Sequence, residues 1–315
     1  MGSGAALALY LSQSLGKDAL LLLPDAGPSY LDFTLEGVRH VCGAADAGRG
    51  MEGCDLLFCL DFNTISRTEG LESCIRAFKG RKVLIDHHIA PVAEEFDLCF
   101  SCPAASSTCE LLYFLLLEIS GGDASALPPL CARALMAGMT TDTNNFANSV
   151  RAETLEMASG LLAAGVDREF ILDRIYHSGR EERLRALGDV LRNRMVITPE
   201  GAAVTVLTAP VMEQYALLDG ESEGFVNVPL DIARVRMSIF VREEAGALRV
   251  SIRSKRGTSA RALAVASFHG GGHEQAAGGR ILIPEDIASA SQAESYVIGL
   301  TARFLQEQDS ICNAK

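Results

Sequence analysis

The stretch Val83-Leu84-Ile85-Asp86-His87-His88 decides the fold of the first half of the chain. Its first three residues are branched aliphatics, and such a short apolar run is typical of a buried strand in a parallel sheet. Asp86, His87 and His88 follow directly, so they lie at the carboxyl end of that strand. In open α/β sheets this edge is where ligands bind. The stretch therefore predicts an α/β domain with a polar site at one edge of its sheet.

Two further aspartates extend this pattern. Asp61 ends the apolar run 55–60, and Asp142 follows an apolar, helix-like stretch. A single aspartate after a strand more often caps the next helix, but neither a strand nor a turn requires an Asp-His-His triplet. Carboxylates that converge with an imidazole suit Mn²⁺ or Mg²⁺, which prefer oxygen ligands with some nitrogen. The sequence thus predicts a divalent metal site.

Strand and helix signals alternate through the first half, the pattern of a doubly wound, mainly parallel sheet. The predicted strands there are 19–23, 38–42, 55–60, 82–85 and 98–100. The predicted helices are 4–15, 69–78, 108–119, 129–139, 152–164 and 168–176. Later come strands 203–207, 235–241 and 248–253 with helices 259–268 and 289–306. We therefore predict a domain over 1–190 that ends in a connector helix, and a smaller α/β substrate-binding domain over 191–315.

Composition and charge narrow the class of protein. The 315 residues are 48% hydrophobic and 22% charged, with a net charge of −12. Proteins that grip long nucleic acid carry a basic face, so the acidity argues against long RNA or DNA and leaves short oligonucleotides open. No apolar run approaches the roughly 20 residues of a membrane span. Nine cysteines, an odd number, suggest reduced thiols, and we expect a cytoplasmic protein.

In the order of its motifs the chain resembles the DHH phosphoesterases, in particular the bacterial nanoRNases, which are oligoribonucleases and pAp phosphatases. Asp61, the Asp86-His87-His88 triplet and Asp142 match the second, third and fourth motifs of that family. The stretch 106–110 resembles the helix start that follows the third motif, and we expect Ser106 and Thr108 to be N-caps. Three later stretches resemble the DHH-associated domain: Gly224-Phe225-Val226-Asn227, Ser251-Ile252-Arg253-Ser254 and Gly270-Gly271-Gly272-His273-Glu274-Gln275-Ala276-Ala277-Gly278.

The resemblance implies a two-metal phosphodiesterase or phosphomonoesterase that uses Mn²⁺ or Mg²⁺. Asp61 would bridge the two ions, and His87 and Asp142 would bind the second one. His88 would contact the scissile phosphate or help protonate the leaving oxygen. Asp86 would orient the histidines, a role that sets ring tautomer and basicity.

The later stretches supply the predicted substrate contacts. Arg253 can pair with a phosphate through two parallel hydrogen bonds, and we group Ser254 with it. Backbone N–H groups at Gly271 and Gly272 can approach phosphate oxygens, with His273 as an added donor. The alternatives are a surface charge at the strand end and a plain glycine turn. Phe225 and Asn227 either support a base or pack and cap a turn.

Several functions remain open at this level. Short oligoribonucleotides and pAp are the first substrate class, polyphosphate or pyrophosphate a second, and cyclic dinucleotides a near neighbour of the first. The family's first motif, a His followed by Asp-x-Asp, has no counterpart before Gly2-Ser3-Gly4. We therefore expect an incomplete metal site and weak activity of the chain as written, and a non-catalytic nucleotide-binding protein is a further alternative. A homodimer is the hypothesis for its assembly.

Overall fold

The computed structural model describes residues 1–244 and 246–313, which form two compact units. The first unit spans Met1–Ser178 and the second begins at Gly179. Among the described helices, none is long and apolar enough to cross a membrane.

Five parallel strands form the sheets of the first unit. β1 (Leu21–Leu23) pairs with β2 (His40–Cys42). β3 (Leu56–Leu60), β4 (Arg81–Asp86) and β5 (Leu98–Ser101) pair in that order. Each strand overlaps a predicted one to within two residues at either end, because runs of Leu, Val, Ile and Phe bury well on both faces of a parallel sheet. The predicted α/β class is confirmed.

Helices cover both faces of the β3-β4-β5 sheet, as a doubly wound fold requires. Val83 and Ile85 pack into one core with Leu112 and Leu135, whereas Leu84 points to the other face and packs against Ile75. Alternate residues of a strand face opposite sides of the sheet, so one apolar run supplies both cores. The helices of this unit are α1 (Gly2–Gln13), α2 (Ala44–Gly50), α3 (Glu72–Ala77), α4 (Thr108–Ile119), α5 (Pro129–Asp142), α6 (Ala152–Ala163) and α7 (Arg168–Tyr176).

The second unit is built on a six-stranded mixed sheet with the order β10-β11-β9-β8-β7-β6. Its elements are α8 (Glu181–Asp189), β6 (Met195–Ile197), β7 (Ala202–Leu207), α9 (Ala209–Gln214), β8 (Met237–Glu244), β9 (Ala247–Ser254), α10 (Ala260–Ser267), β10 (Gly271–Gly272), β11 (Ala276–Leu282) and α11 (Ala293–Asn313). Apolar residues of α10 and α11, such as Leu263 and Val297, share one core with Ile239 of β8. Strands β6, β10 and β11 are additional to the predicted ones.

The boundary between the units differs from the predicted position near residue 190. The prediction assigns the connector helix to the first domain, whereas α8 belongs to the second unit. The physical reason is its apolar face: Ala186 and, just after the helix, Val190 are buried in a cluster with Leu207 and Phe225.

Candidate metal centre

Three potential metal ligands converge at the carboxyl edge of the first unit's sheet. Asp61 follows β3, His87 follows β4, and Asp142 is the last residue of α5. One donor atom from each lies within 4.8 Å of the other two. Carboxyl ends of adjacent parallel strands meet at one edge, which explains why Asp61 and His87 come together. The structure thus brings together the three residues predicted as ligands, and their roles remain predictions.

Asp61 adopts a backbone conformation that is rare for an aspartate. Its φ is +70°, in the left-handed region that few residues other than glycine occupy. Its N–H donates to the carbonyl of Ile85 at 3.2 Å, and Thr108 Oγ1 donates to its Oδ1 at 2.8 Å. Backbone strain of this kind tends to occur at functional sites, and here it turns the carboxylate toward His87 directly after the strand ends.

Hydrogen bonding fixes the tautomer of His87. Its Nδ1 lies 3.3 Å from the carbonyl oxygen of Ala105, which can only accept, so Nδ1 carries the proton. The Nε2 atom lies 3.6 Å from Asp61 Oδ1. A neutral ring protonated at Nδ1 has its lone pair on Nε2, the arrangement that a metal-binding histidine needs.

His88 is held by Asp86. The His88 Nδ1–H donates to Asp86 Oδ1 at 2.6 Å, and the His88 backbone N–H donates to Oδ2 at 3.1 Å. The Asp86 side chain is fully buried. Donor atoms of Asp86 and His88 also lie within 4.8 Å of Asp61, so this pair adjoins the three potential ligands. Asp86 was predicted to orient both histidines; in the structure it orients His88, and Ala105 orients His87.

The chemistry of the donor set fits a divalent cation. Asp142 is exposed to solvent at the edge of the group. Crowding by protein atoms, and then the negative charge of Asp61, raise the pKa of Asp142 to about 7. Two carboxylates in such proximity repel each other when both ionise, and a cation between them removes that repulsion. Asp61, His87 and Asp142 together offer the oxygen and imidazole donors that Mn²⁺ accepts.

The N-cap of α4 differs from the predicted one, and the start of this helix contains a further residue of the site, Glu110. The N-cap is Ser107, whose Oγ accepts from the Glu110 N–H at 3.0 Å, and neither Ser106 nor Thr108 serves as the cap. Ser106 instead donates from Oγ to Glu110 at 2.6 Å, and Thr108 bonds to Asp61. Sequence reasoning missed Glu110 as a site residue, although Ser-x-x-Glu at a helix start is a known signal of a structured N-terminus.

In the second unit, the predicted substrate residues lie on neighbouring strands. Arg253 in β9 pairs with Ala276 in β11, and the His273 N–H donates to the Ala276 carbonyl at 2.8 Å. Gly271 and Gly272 form β10, opposite Gly278 and Ala277. The glycine run is therefore an antiparallel hairpin. Burial lowers the pKa of Arg253, and the negative charge of Glu223 opposes that shift.

Two other predicted residues of this unit have structural contacts. Ser254 is buried and its hydroxyl donates to the Thr258 carbonyl at 2.7 Å, which braces the turn after β9. Phe225 is buried and packs edge-to-face against Phe240. This contact corresponds to the second of its two predicted roles, packing. Asn227 is exposed.

Comparison with known proteins identifies the family. The model of the DHH family N-terminal domain matches residues 1–139, and that of the DHHA1 domain matches residues 203–298. A bifunctional oligoribonuclease and PAP phosphatase of Thermus thermophilus is 28% identical over 87% of this chain and 78% of its own length. A probable enzyme of the same name from Streptococcus mutans is 30% identical over 62% of this chain, and the match spans 61% of that relative.

A solved structure supports the same assignment over the full fold. An exopolyphosphatase-related protein from Bacteroides fragilis superposes with a TM-score of 0.87 at 30% identity, covering 98% of this chain and 89% of its own. The predicted resemblance and fold class are confirmed by these matches. The DHH N-terminal domain precedes the DHHA1 domain, in the expected order. The chain therefore belongs to the DHH family of metal-dependent phosphoesterases.

Proposed function

We propose that this chain is a metal-dependent phosphoesterase that hydrolyses short oligoribonucleotides, with pAp as a further substrate. The observation that carries the proposal is the convergence of Asp61, His87 and Asp142 within 4.8 Å, beside the His88–Asp86 pair. The names of the curated relatives agree with this substrate class.

Asp61, His87 and Asp142 would hold Mn²⁺ or Mg²⁺, and the family resemblance favours two ions. A bound divalent ion supplies Lewis-acid stabilisation of phosphoryl charge and lowers the pKa of a bound water. The fixed tautomer of His87 supports this role, because its Nε2 lone pair is ready for coordination before any ion arrives.

His88 is the proposed proton donor at the scissile phosphate. Since Nδ1–H is committed to Asp86, Nε2 is the ring position that gains and loses a proton. The buried Asp86 carboxylate stabilises the protonated ring, as a carboxylate does for a catalytic histidine in general. In that form Nε2–H can donate to a phosphate oxygen or to the leaving oxygen.

The phosphate contacts of the substrate are assigned to the second unit. Arg253 would bind a non-reacting phosphate, the backbone N–H groups at Gly271 and Gly272 would approach its oxygens, and His273 would add a donor. The net charge of −12 disfavours binding of a long polyanion. A short one would need only these few local contacts.

The test is a product assay with Mn²⁺ on oligoribonucleotides of two to five residues, on a 24-residue RNA and on pAp. Because weak activity is expected of the chain as written, we expect slow release of mononucleotides from the short substrates, still slower cleavage of the long one, and slow formation of AMP from pAp. Asp61→Asn, purified in parallel, controls for contaminating nucleases. Equal rates on short and long RNA would contradict the proposal, as would undiminished activity of the Asp61→Asn protein.

Inorganic polyphosphate is the second candidate substrate, and one observation favours it: the Bacteroides fragilis neighbour is named an exopolyphosphatase-related protein. Phosphate release from polyphosphate and from a dinucleotide, measured on one preparation, separates the two. The nucleotide proposal requires the larger kcat/KM for the dinucleotide.

Two further properties are proposed with the function. The eight described cysteines are all free thiols, which suits the reducing cytoplasm, and fractionation of cells would test that location. A homodimer is the proposed assembly, and light scattering coupled to gel filtration would test it.

A further inference from the structure

Glu110 is a fully buried carboxylate on α4 that accepts side-chain hydrogen bonds from three residues of the first unit. Its Oε1 accepts from Arg151 Nε at 2.7 Å, and its Oε2 accepts from Thr154 Oγ1 and Ser106 Oγ at 2.6 Å each. Burial alone opposes ionisation, but the hydrogen bonds from Ser106, Thr154 and Arg151 outweigh it and lower the pKa of Glu110. A fixed charge with this many donors holds its surroundings rigidly.

One of those donors connects Glu110 to His87. The Ser106 backbone N–H donates to Glu110 Oε2 at 3.3 Å. The same peptide group carries the Ala105 carbonyl, which accepts from His87 Nδ1 at 3.3 Å. In a planar trans peptide the N–H and C=O point in opposite directions. Glu110 thus fixes the orientation of a peptide whose other side sets the tautomer and the ring position of His87.

A second route connects Glu110 to Asp61. The Glu110 N–H donates to Ser107 Oγ, which caps α4, and Thr108 is the first residue of that helix. Thr108 Oγ1 donates to Asp61 Oδ1 at 2.8 Å. The Glu110 side chain accepts hydrogen bonds from Ser106, and the Glu110 backbone N–H donates to Ser107. Thr108 directly follows these two residues, so its position is fixed by their hydrogen bonds to Glu110. Two of the three proposed ligands therefore depend on contacts that Glu110 organises.

We infer that Glu110 is a positioning residue of the metal centre, acting on His87 through the Ala105–Ser106 peptide and on Asp61 through Thr108. The inference rests on the proposed function, since it assigns these two residues as ligands. Neither atom of the Glu110 carboxylate needs to touch metal or substrate. Loss of such an outer partner typically weakens metal binding by about 10- to 100-fold.

The experiment replaces Glu110 at nearly constant volume. Glu110→Gln replaces one of the two accepting carboxylate oxygens by an NH2 group, which cannot accept a hydrogen bond. Either Arg151 Nε–H or Ser106 N–H therefore loses its acceptor. Glu110→Met removes both acceptors. Thr154→Val is the matched control, because it deletes a hydrogen bond of the same length to the same oxygen without involving the Ala105–Ser106 peptide. Each protein is titrated with Mn²⁺ by calorimetry, and its melting temperature is recorded.

The second readout needs no metal. Long-range ¹H–¹⁵N correlation spectra of the metal-free protein report which nitrogen of His87 is protonated. We expect the Nδ1–H form to dominate in the parent chain and in Thr154→Val, and the Nε2–H form to gain population in Glu110→Gln. The Mn²⁺ dissociation constant should rise about tenfold or more in Glu110→Gln and less than twofold in Thr154→Val.

The outcomes separate the alternatives. An unchanged tautomer and dissociation constant in a folded Glu110→Gln protein would overturn the inference. An equal loss in Thr154→Val would do so too, because the effect would then follow stability and not position. If Glu110→Met does not fold, Glu110→Gln decides alone. If the parent chain binds no Mn²⁺, the proposed function fails, while the tautomer measurement still decides the role of Glu110.

Discussion

The two units hold their candidate functional groups in different ways. In the first unit, Asp61, His87 and His88 each have a hydrogen-bond partner that fixes the side chain: Thr108, Ala105 and Asp86 respectively. In the second unit, the backbone hairpin is fixed by close approach of glycines, and the half-buried Arg253 donates to the backbone carbonyl of the adjacent Ile252 at 3.0 Å. Metal coordination requires ligands in place to within a fraction of an ångström, whereas a flexible phosphate chain can be bound by side chains that adjust. The four predictions below test this contrast.

The largest effect is expected at Asp142. Asp142→Asn removes an ionic ligand, and the loss of transition-state stabilisation by a metal is worth several kcal/mol, or about three orders of magnitude in rate. The metal-free protein should melt at the same or a higher temperature, because an amide removes both the cost of desolvating the charge and the repulsion from Asp61, which together raise the pKa of Asp142. Steady-state kinetics and calorimetric melting check both parts.

Asp18→Asn, at an exposed aspartate paired with Arg39, is the control for Asp142 and should leave both quantities unchanged. Retention of more than a tenth of the parental rate in Asp142→Asn would remove this residue from the proposed centre.

The second effect concerns the His88–Asp86 pair. His88→Asn should lower kcat by about 10²- to 10³-fold, the range typical of a lost general acid, and should leave Mn²⁺ affinity intact. Asp86→Asn should cost less, about 10- to 100-fold, because an amide at this position still contacts the ring. Parallel measurements of kcat and Mn²⁺ affinity test both variants. If His88→Asn lost metal and rate together, His88 would be a ligand instead of a proton donor.

The sequence predicts the first unit's candidate centre better than its supporting contacts. Apolar runs followed by Asp or His mark β3 and β4, and parallel strands place those residues at one edge. The partners come from distant segments that no local pattern connects: Glu110 and Arg151 are 41 residues apart, and the Ala105 group is a backbone carbonyl with no sequence signature. Tertiary structure supplies these contacts.

In the second unit, part of the secondary structure itself could not be predicted from the sequence. Strands β10 and β11 contain Gly271, Gly272, Gly278 and Gly279, and glycine has a low strand propensity, so the sequence predicts no strand in this stretch. Helix α2 is similarly rich in alanine and glycine and carries no apolar stripe. Both form because neighbouring elements pack against them, which local propensity does not encode.

The third effect tests Arg253 as an adaptable substrate contact. Arg253→Ala should raise KM about 10- to 100-fold, since a charge-assisted hydrogen bond contributes about 1.5–3 kcal/mol. Both kcat and the melting temperature should change little. Arg249→Ala, an exposed arginine four residues earlier on β9, is the control. A drop in melting temperature with an unchanged KM would make Arg253 a structural residue.

The smallest effect on catalysis, and the sharpest test of the glycine hairpin, comes from two adjacent alanine substitutions. At Gly270 an added Cβ would lie 1.9 Å from the Gly278 carbonyl oxygen, whereas at Gly271 nothing lies within 4 Å. Gly270→Ala should therefore destabilise the second unit by about 1–3 kcal/mol, the usual cost of overpacking. Gly271→Ala should keep the parental stability.

Only Gly271→Ala addresses the substrate directly. If the Gly271 N–H approaches a phosphate, the new methyl group hinders that approach, and KM should rise a few-fold while Mn²⁺ affinity stays constant.

Hydrogen exchange resolved along the chain locates any destabilisation, and KM for a dinucleotide reports the contact. Increased exchange across β10 and β11 in Gly270→Ala, with parental exchange in Gly271→Ala, is the pattern that the hairpin geometry requires. Equal stability of the two variants would show that the glycines do not approach as closely as the geometry states. A constant KM in Gly271→Ala would leave Arg253 and His273 as the proposed phosphate contacts of this unit.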